Sequence, residues 1–145
     1  MAHPCASTGA HGRLGAVSRS SAPDQVLLAR LDELVPEWIT VPDVAEACAV
    51  PLATVRSWLA EGEIASVRRG ERKVVSIPAT FVQDGAPLHL LRGTLSVLHD
   101  SGLSDAEAIA WLHEPDDTLR TGTPVGDLRA GHRTEIRRRA QELAF

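Results

Sequence analysis

The chain has 145 residues and a formal net charge of -4, with 43% hydrophobic but only 3% aromatic residues. That length suits one ordinary domain, or two small ones sharing a core, and excludes a large enzyme with a deep substrate cleft. No apolar run approaches the ~20 residues that span a bilayer, the first residues lack the apolar region of a secretory signal, and Cys5 and Cys48 are too few for a disulfide framework, so a cytoplasmic chain with reduced thiols is expected.

With so few aromatics, the core is expected to consist of Leu, Val, Ile and Ala, with Trp38, Trp58 and Trp111 as its large anchors. Residues 1–22 are rich in Gly, Ala and Ser, show no periodicity and read as a disordered tail. Pro23 and Asp24 then suit a first helical turn, and Val26, Leu27, Leu31, Leu34 and Val35 form a helical stripe that Pro36 ends. In "ITVPDVAEACAV", Thr40 is placed to cap a helix whose first turn holds Pro42 and Asp43. "PLATVRSWLAEG" aligns Leu52, Val55, Trp58 and Leu59 on one face and stops at Gly62. Two short helices with so short a connection must cross steeply.

Beyond Gly62 the period shortens. "IASVRR" and "KVVSIP" are β-prone runs joined through Gly70 and Glu71, which predicts a hairpin with a charged tip that Pro78 closes. From about residue 84 the pattern is helical again, with three helices expected. The first carries Leu91, Leu95 and Leu98; the second opens with Ser104 and Glu107 at capping-box spacing and carries Ala108, Ile109, Trp111 and Leu112; the last, over roughly 125–143, carries Leu128, Ile136, Ala140 and Leu143 inward.

The steric demands of a helix-turn-helix can be tested on "VPDVAEACAVPLATVRSWL". Ala45 is small where the two helices touch, Val50, Val55 and Trp58 occupy the apolar positions, and Ala49 stands at the tight turn that usually takes glycine. The run from Thr40 to Val82, including W-L-x-x-G-x-I at Trp58–Ile64, resembles the winged helix-turn-helix of the excisionase and MerR-like group. Over residues 24–145 the chain is similar to small actinobacterial winged helix-turn-helix DNA-binding proteins with a helical C-terminal domain. The resemblance implies that the second helix enters a DNA major groove and that the hairpin is a wing.

The expected fold is therefore mainly α, a winged helix-turn-helix with a small β-hairpin wing plus a C-terminal helical region. Residues 1–22 form the tail, 23–83 the DNA-binding domain and 84–145 a three-helix domain. With Val55, Trp58 and Leu59 turned inward, the second helix offers Thr54, Arg56 and Ser57 outward. Arg56 is the one side chain there able to grip a guanine edge with two hydrogen bonds, while Thr54 and Ser57 suit phosphates or weaker base contacts. Arg68, Arg69, Arg72 and Lys73 on the wing suit the sugar-phosphate backbone or a minor groove. Lys73 is the single lysine among 15 basic residues, and arginine's planar fork matches phosphate oxygens better than an ammonium does. The expected partner is double-stranded DNA and the expected role transcriptional regulation.

The arginines of "RAGHRTEIRRRAQ", residues 129–141, read as the solvated face of the last helix in preference to a second phosphate patch. Ser and Thr residues of the tail, Thr8 among them, are placed for a Ser/Thr protein kinase, and each added phosphate brings about -1.5 to -2 charges that oppose DNA binding. A competing reading is a protein-interaction adaptor whose C-terminal helices bind a partner or a second copy, since "AWLHEPDDTLRTGTPVGDL" resembles the partner-binding region of some antitoxins. The histidines and cysteines are too scattered for a zinc site. No P-loop, Rossmann glycine pattern or nucleophile elbow is present, so neither cofactor nor enzymatic activity is expected.

Overall fold

The computed structural model describes residues 25–143; the expected tail, with Thr8, lies outside them. The first helix, α1, covers 25–34 and buries Leu31, with Val35 buried just beyond its end. Strand β1 (Trp38–Thr40) leads directly into α2 (Val41–Cys48). Thr40 caps α2 as its sequence position predicts: the Asp43 amide donates to Thr40 Oγ1 at 3.3 Å and the Thr40 amide to Asp43 Oδ2 at 3.0 Å. The Thr40 amide holds the Asp43 carboxyl below its usual range. Helix α3 (Leu52–Ala60) follows after three residues, and then the hairpin β2 (Val67–Arg69) and β3 (Val74–Pro78).

The sheet is larger than a two-stranded wing. Its order is β1-β3-β2, antiparallel throughout, with Thr40 and Val67 both opposite Ser76 and Arg69 opposite Val74. Three residues are too few to show a period, so β1 is invisible until β3 supplies its partner. A short hairpin, β4 (Val82–Gln83) and β5 (Ala86–Pro87), joins the two halves of the fold.

The C-terminal region holds α4 (Leu91–Asp100), α5 (Asp105–His113), α6 (Pro124–Arg129) and α7 (Arg133–Glu142). The capping box of α5 is formed, with Ser104 Oγ accepting from the Glu107 amide at 3.2 Å and Glu107 Oε1 from the Ser104 amide at 2.9 Å. The single last helix expected over 125–143 is instead two, so the region has four helices. Gly131 at φ 89 turns the chain out of helical geometry, and the His132 amide bonds back to the Asp127 carbonyl at 2.8 Å. An L-residue side chain strongly disfavours that backbone region, whereas glycine enters it freely.

One continuous apolar core runs through both halves, from Val44, Val55, Ile64 and Ile77 through Phe81 and Leu88 to Leu95, Leu98, Ile109, Leu112 and Ile136. The tryptophans are not its anchors: Trp38, Trp58 and Trp111 are each only partly buried and pack against it from outside. Indole is too large to be enclosed fully among small aliphatic side chains, so it tends to sit at the edge of such a core. Phe81 takes the central place. Leu143, expected inward, is exposed beyond the end of α7.

Candidate nucleic-acid interface

The turn between α2 and α3 is tight because Ala49 adopts φ 56, ψ 46, the left-handed conformation that glycine usually supplies in this position. Its amide reaches the Glu46 carbonyl at 3.2 Å, and the Val50 amide reaches Ala45 at 3.0 Å. Buried Ala45 lets the helices approach, and fully buried Val55 seats α3. Burying one valine is worth about 1.5–3 kcal/mol. The inward stripe of α3 is narrower than its sequence suggests, since Trp58 and Leu59 are half-buried and Leu52 is exposed.

Gly62 ends α3 at φ 78, letting its amide bond to the Leu59 carbonyl at 3.3 Å and the Glu63 amide to Trp58 at 2.9 Å. Ile64 then drops into the core, which sets the direction in which β2 leaves. This is the physical content of the W-L-x-x-G-x-I motif. It ties the wing to the end of α3.

The outer face of α3 presents Ala53, Arg56, Ser57 and Ala60 to solvent, with Thr54 half-buried at its side. Arg56 makes no ion pair or side-chain hydrogen bond among the described residues, so its fork is available. On the wing, the turn from Gly70 to Lys73 is closed by the Lys73 amide on the Gly70 carbonyl at 3.2 Å, and it carries exposed Arg72 and Lys73. Arg68 is exposed and donates weakly to the Lys73 carbonyl at 3.3 Å. These three cations and Arg56 lie on solvent-facing parts of consecutive elements.

Arg69 differs from them. Its guanidinium lies 4.5 Å from the centre of the Trp38 ring, and it holds Asp32 of α1 through both Nε, at 3.1 Å, and Nη2. Strand alternation explains this, since Arg69 points to the sheet face that α1 covers while Arg68 points to the other. Arg69 is thus a clamp between wing, β1 and α1. No local signal in the sequence marks that role, because its partner lies 37 residues away.

A polar joint fixes the C-terminal region against the winged half. Arg129 Nη1 donates to the carbonyls of Thr80 at 2.8 Å and Val82 at 2.9 Å, and Gln83 donates to the Arg129 carbonyl at 3.3 Å. His113 Nδ1 bonds the Ile109 carbonyl at 2.8 Å, so Nδ1 carries the proton and Nε2 accepts from the Thr80 hydroxyl at 2.7 Å. Burial pushes the His113 pKa below the ordinary histidine value, keeping the ring neutral. The turn after α5 places Asp116 where a carboxylate can cap it. Asp116 does so, accepting from the Thr118 hydroxyl and amide and from Arg139 Nη1, contacts that hold its carboxyl below the usual range.

Comparison with known proteins agrees with this architecture in both halves. Residues 28–82 match the family described as DNA-binding protein Rv2175c, wHTH domain, and residues 88–144 match the Rv2175c C-terminal domain of unknown function. The chain is 34% identical over 116 residues to DNA-binding protein Rv2175c of Mycobacterium tuberculosis, covering 72% of this chain and 79% of that protein. It superposes on the NMR structure of Rv2175c with a TM-score of 0.67 at 35% identity, over 75% of this chain and 82% of the other. The matched halves, in the same order and with the same fold, place the chain in the Rv2175c family of winged helix-turn-helix proteins.

Proposed function

We propose that this chain binds double-stranded DNA as a small transcriptional regulator, with residues 23–83 forming the DNA-binding unit and 84–145 a helical unit fixed to it. The observation that carries the reading is the exposed guanidinium of Arg56 on the outer face of α3, unpaired among the described residues, with exposed Arg68, Arg72 and Lys73 on the wing that follows it in the chain. Arg56 reads a base edge, Thr54 and Ser57 support it at the groove wall, and the wing cations follow the phosphate backbone. Arg69 holds the wing in place. The family description and the name of the mycobacterial relative, both of which specify DNA binding, support the same reading. Such a protein works in the cytoplasm, where its DNA is, and catalyses no step.

Binding to random and genomic duplexes across a salt series, with wild type and Arg56→Ala in parallel, tests the proposal. The expected slope of log affinity against log salt is about -0.9 per phosphate contacted. Arg56→Ala should cost about 1–3 kcal/mol on a preferred duplex and much less on a random one. Salt-independent binding, or equal losses on both duplexes, would remove Arg56 as the base reader. Phosphate on the tail, at Thr8 in particular, is proposed to weaken binding by repelling the DNA backbone. Equal affinity of the phosphorylated and unmodified protein would refute that.

A further inference from the structure

The arginines near the end of the chain are not equivalent, and the structure sorts them. Arg138 pairs with Glu135 and Glu142, and Arg139 is held by Asp116 at 2.6 Å and by the Thr118 hydroxyl at 2.8 Å. Arg129 is spent in the joint between the two halves. Arg137 is exposed and makes no ion pair or side-chain hydrogen bond among the described residues, and on the neighbouring helix α4 the same holds for Arg92.

Gly93 connects these two. It lies inside α4, where glycine costs roughly 1 kcal/mol relative to alanine. A Cβ added there would collide with Nη2 of Arg137, so the missing side chain is the space in which that guanidinium rests. Arg137 is therefore laid across α4 at Gly93, the residue that follows Arg92 in the chain. Arg92 in turn lines a recess with Leu59, Ala60, Glu61 and Gly62 at the end of α3. Ala60 is one turn beyond Arg56 on the same exposed ridge, so the basic edge of α4 and α7 begins where the outer face of α3 ends.

We propose that Arg92 and Arg137 form a second phosphate-contacting surface, through which the C-terminal region grips the backbone of the duplex that α3 enters. This rests on the DNA-binding reading above and gives the C-terminal region a role in it. The recess itself also holds Glu61, Asp100 and Asp105, the last bonded to His99 at 2.8 Å. Those carboxylates repel phosphate, so the contact is made from the Arg92 rim and the Gly93 side, not inside the recess. The joint made by Arg129 and His113 holds this edge in a fixed position beside α3, so little ordering is needed on binding.

The test uses the full chain and random duplex DNA in a salt series, with three proteins: wild type, Arg92→Gln/Arg137→Gln, and Arg30→Gln/Arg138→Gln. The last loses the same charge from two arginines already paired to carboxylates. Two lost phosphate contacts should reduce the salt slope by about 1.8 and lower affinity roughly 60-fold at 0.1 M salt. The ratio of preferred to random duplex affinity should hold, since phosphate contacts carry no base information. The control should keep the wild-type slope. A wild-type slope in Arg92→Gln/Arg137→Gln, or equal reductions in both double variants, would overturn this surface while leaving the α3 reading intact. Absence of duplex binding by wild type would overturn the DNA-binding reading itself, and this surface with it.

Discussion

Replacing Arg69 by alanine separates a clamp from a DNA contact, because the two roles move different measurements. The side chain is 30% exposed and Asp32 54%, so their ion pair is largely solvated and contributes about 0.2–1 kcal/mol. Its place over the Trp38 ring adds about 0.5–1 kcal/mol. Together these predict a loss of about 1–2 kcal/mol in folding stability, or a fall in melting temperature of about 3–7 °C for a chain of this size. Asp32→Asn should show a smaller loss, and the double variant less than the sum of the two, since both remove one interaction. Thermal and urea unfolding measure this, and the salt dependence of duplex binding supplies the second axis. A clamp predicts reduced stability with an unchanged salt slope. An unchanged melting temperature together with a slope lower by about 0.9 would show that Arg69 leaves Asp32 for phosphate and would refute the assignment.

Two further predictions concern the backbone of the turn and the joint between the halves. Ala49→Gly removes a left-handed strain of about 1–2 kcal/mol against about 0.5–1 kcal/mol of extra unfolded-state freedom, so the variant should be more stable by about 0.5–1 kcal/mol; a urea midpoint equal to or below wild type would show that Ala49 sits there without strain. His113 has a folded-state pKa below its unfolded value near 6.5, so its contribution is complete above that pH and is lost as pH falls through the folded value. The urea midpoint of wild type should therefore drop more steeply from pH 7 to pH 5 than that of His113→Asn, and parallel pH profiles would exclude His113 as the group responsible.

Much of this fold is written locally. The caps at Thr40 and Ser104 and the stop at Gly62 each act within five residues, so residue type and spacing suffice to find them. The apolar stripes of α4 and α5 likewise follow from period alone. The misplaced expectations share a cause: helical phase assigns Trp58 and Leu143 inward places, and phase says which residues share a face without saying how deep that face is buried. The split between α6 and α7 was hidden because one glycine within a run of good helix formers reads as a tolerated defect unless its left-handed backbone is seen.

At the proposed site the division follows distance along the chain. That α3 exposes Arg56 and that the wing tip carries Arg72 and Lys73 depends on neighbours a few residues away, so sequence alone determined it. That Arg69 turns back to Asp32, that Arg129 bonds the carbonyls of Thr80 and Val82, and that Gly93 makes room for Arg137 depends on groups brought together from 37 to 49 residues apart. All these arginines carry the same charge and fork, and nothing in the residue type distinguishes them. Only the tertiary structure decides which guanidiniums meet a carboxylate, an indole or a carbonyl, and which are left facing solvent for a phosphate.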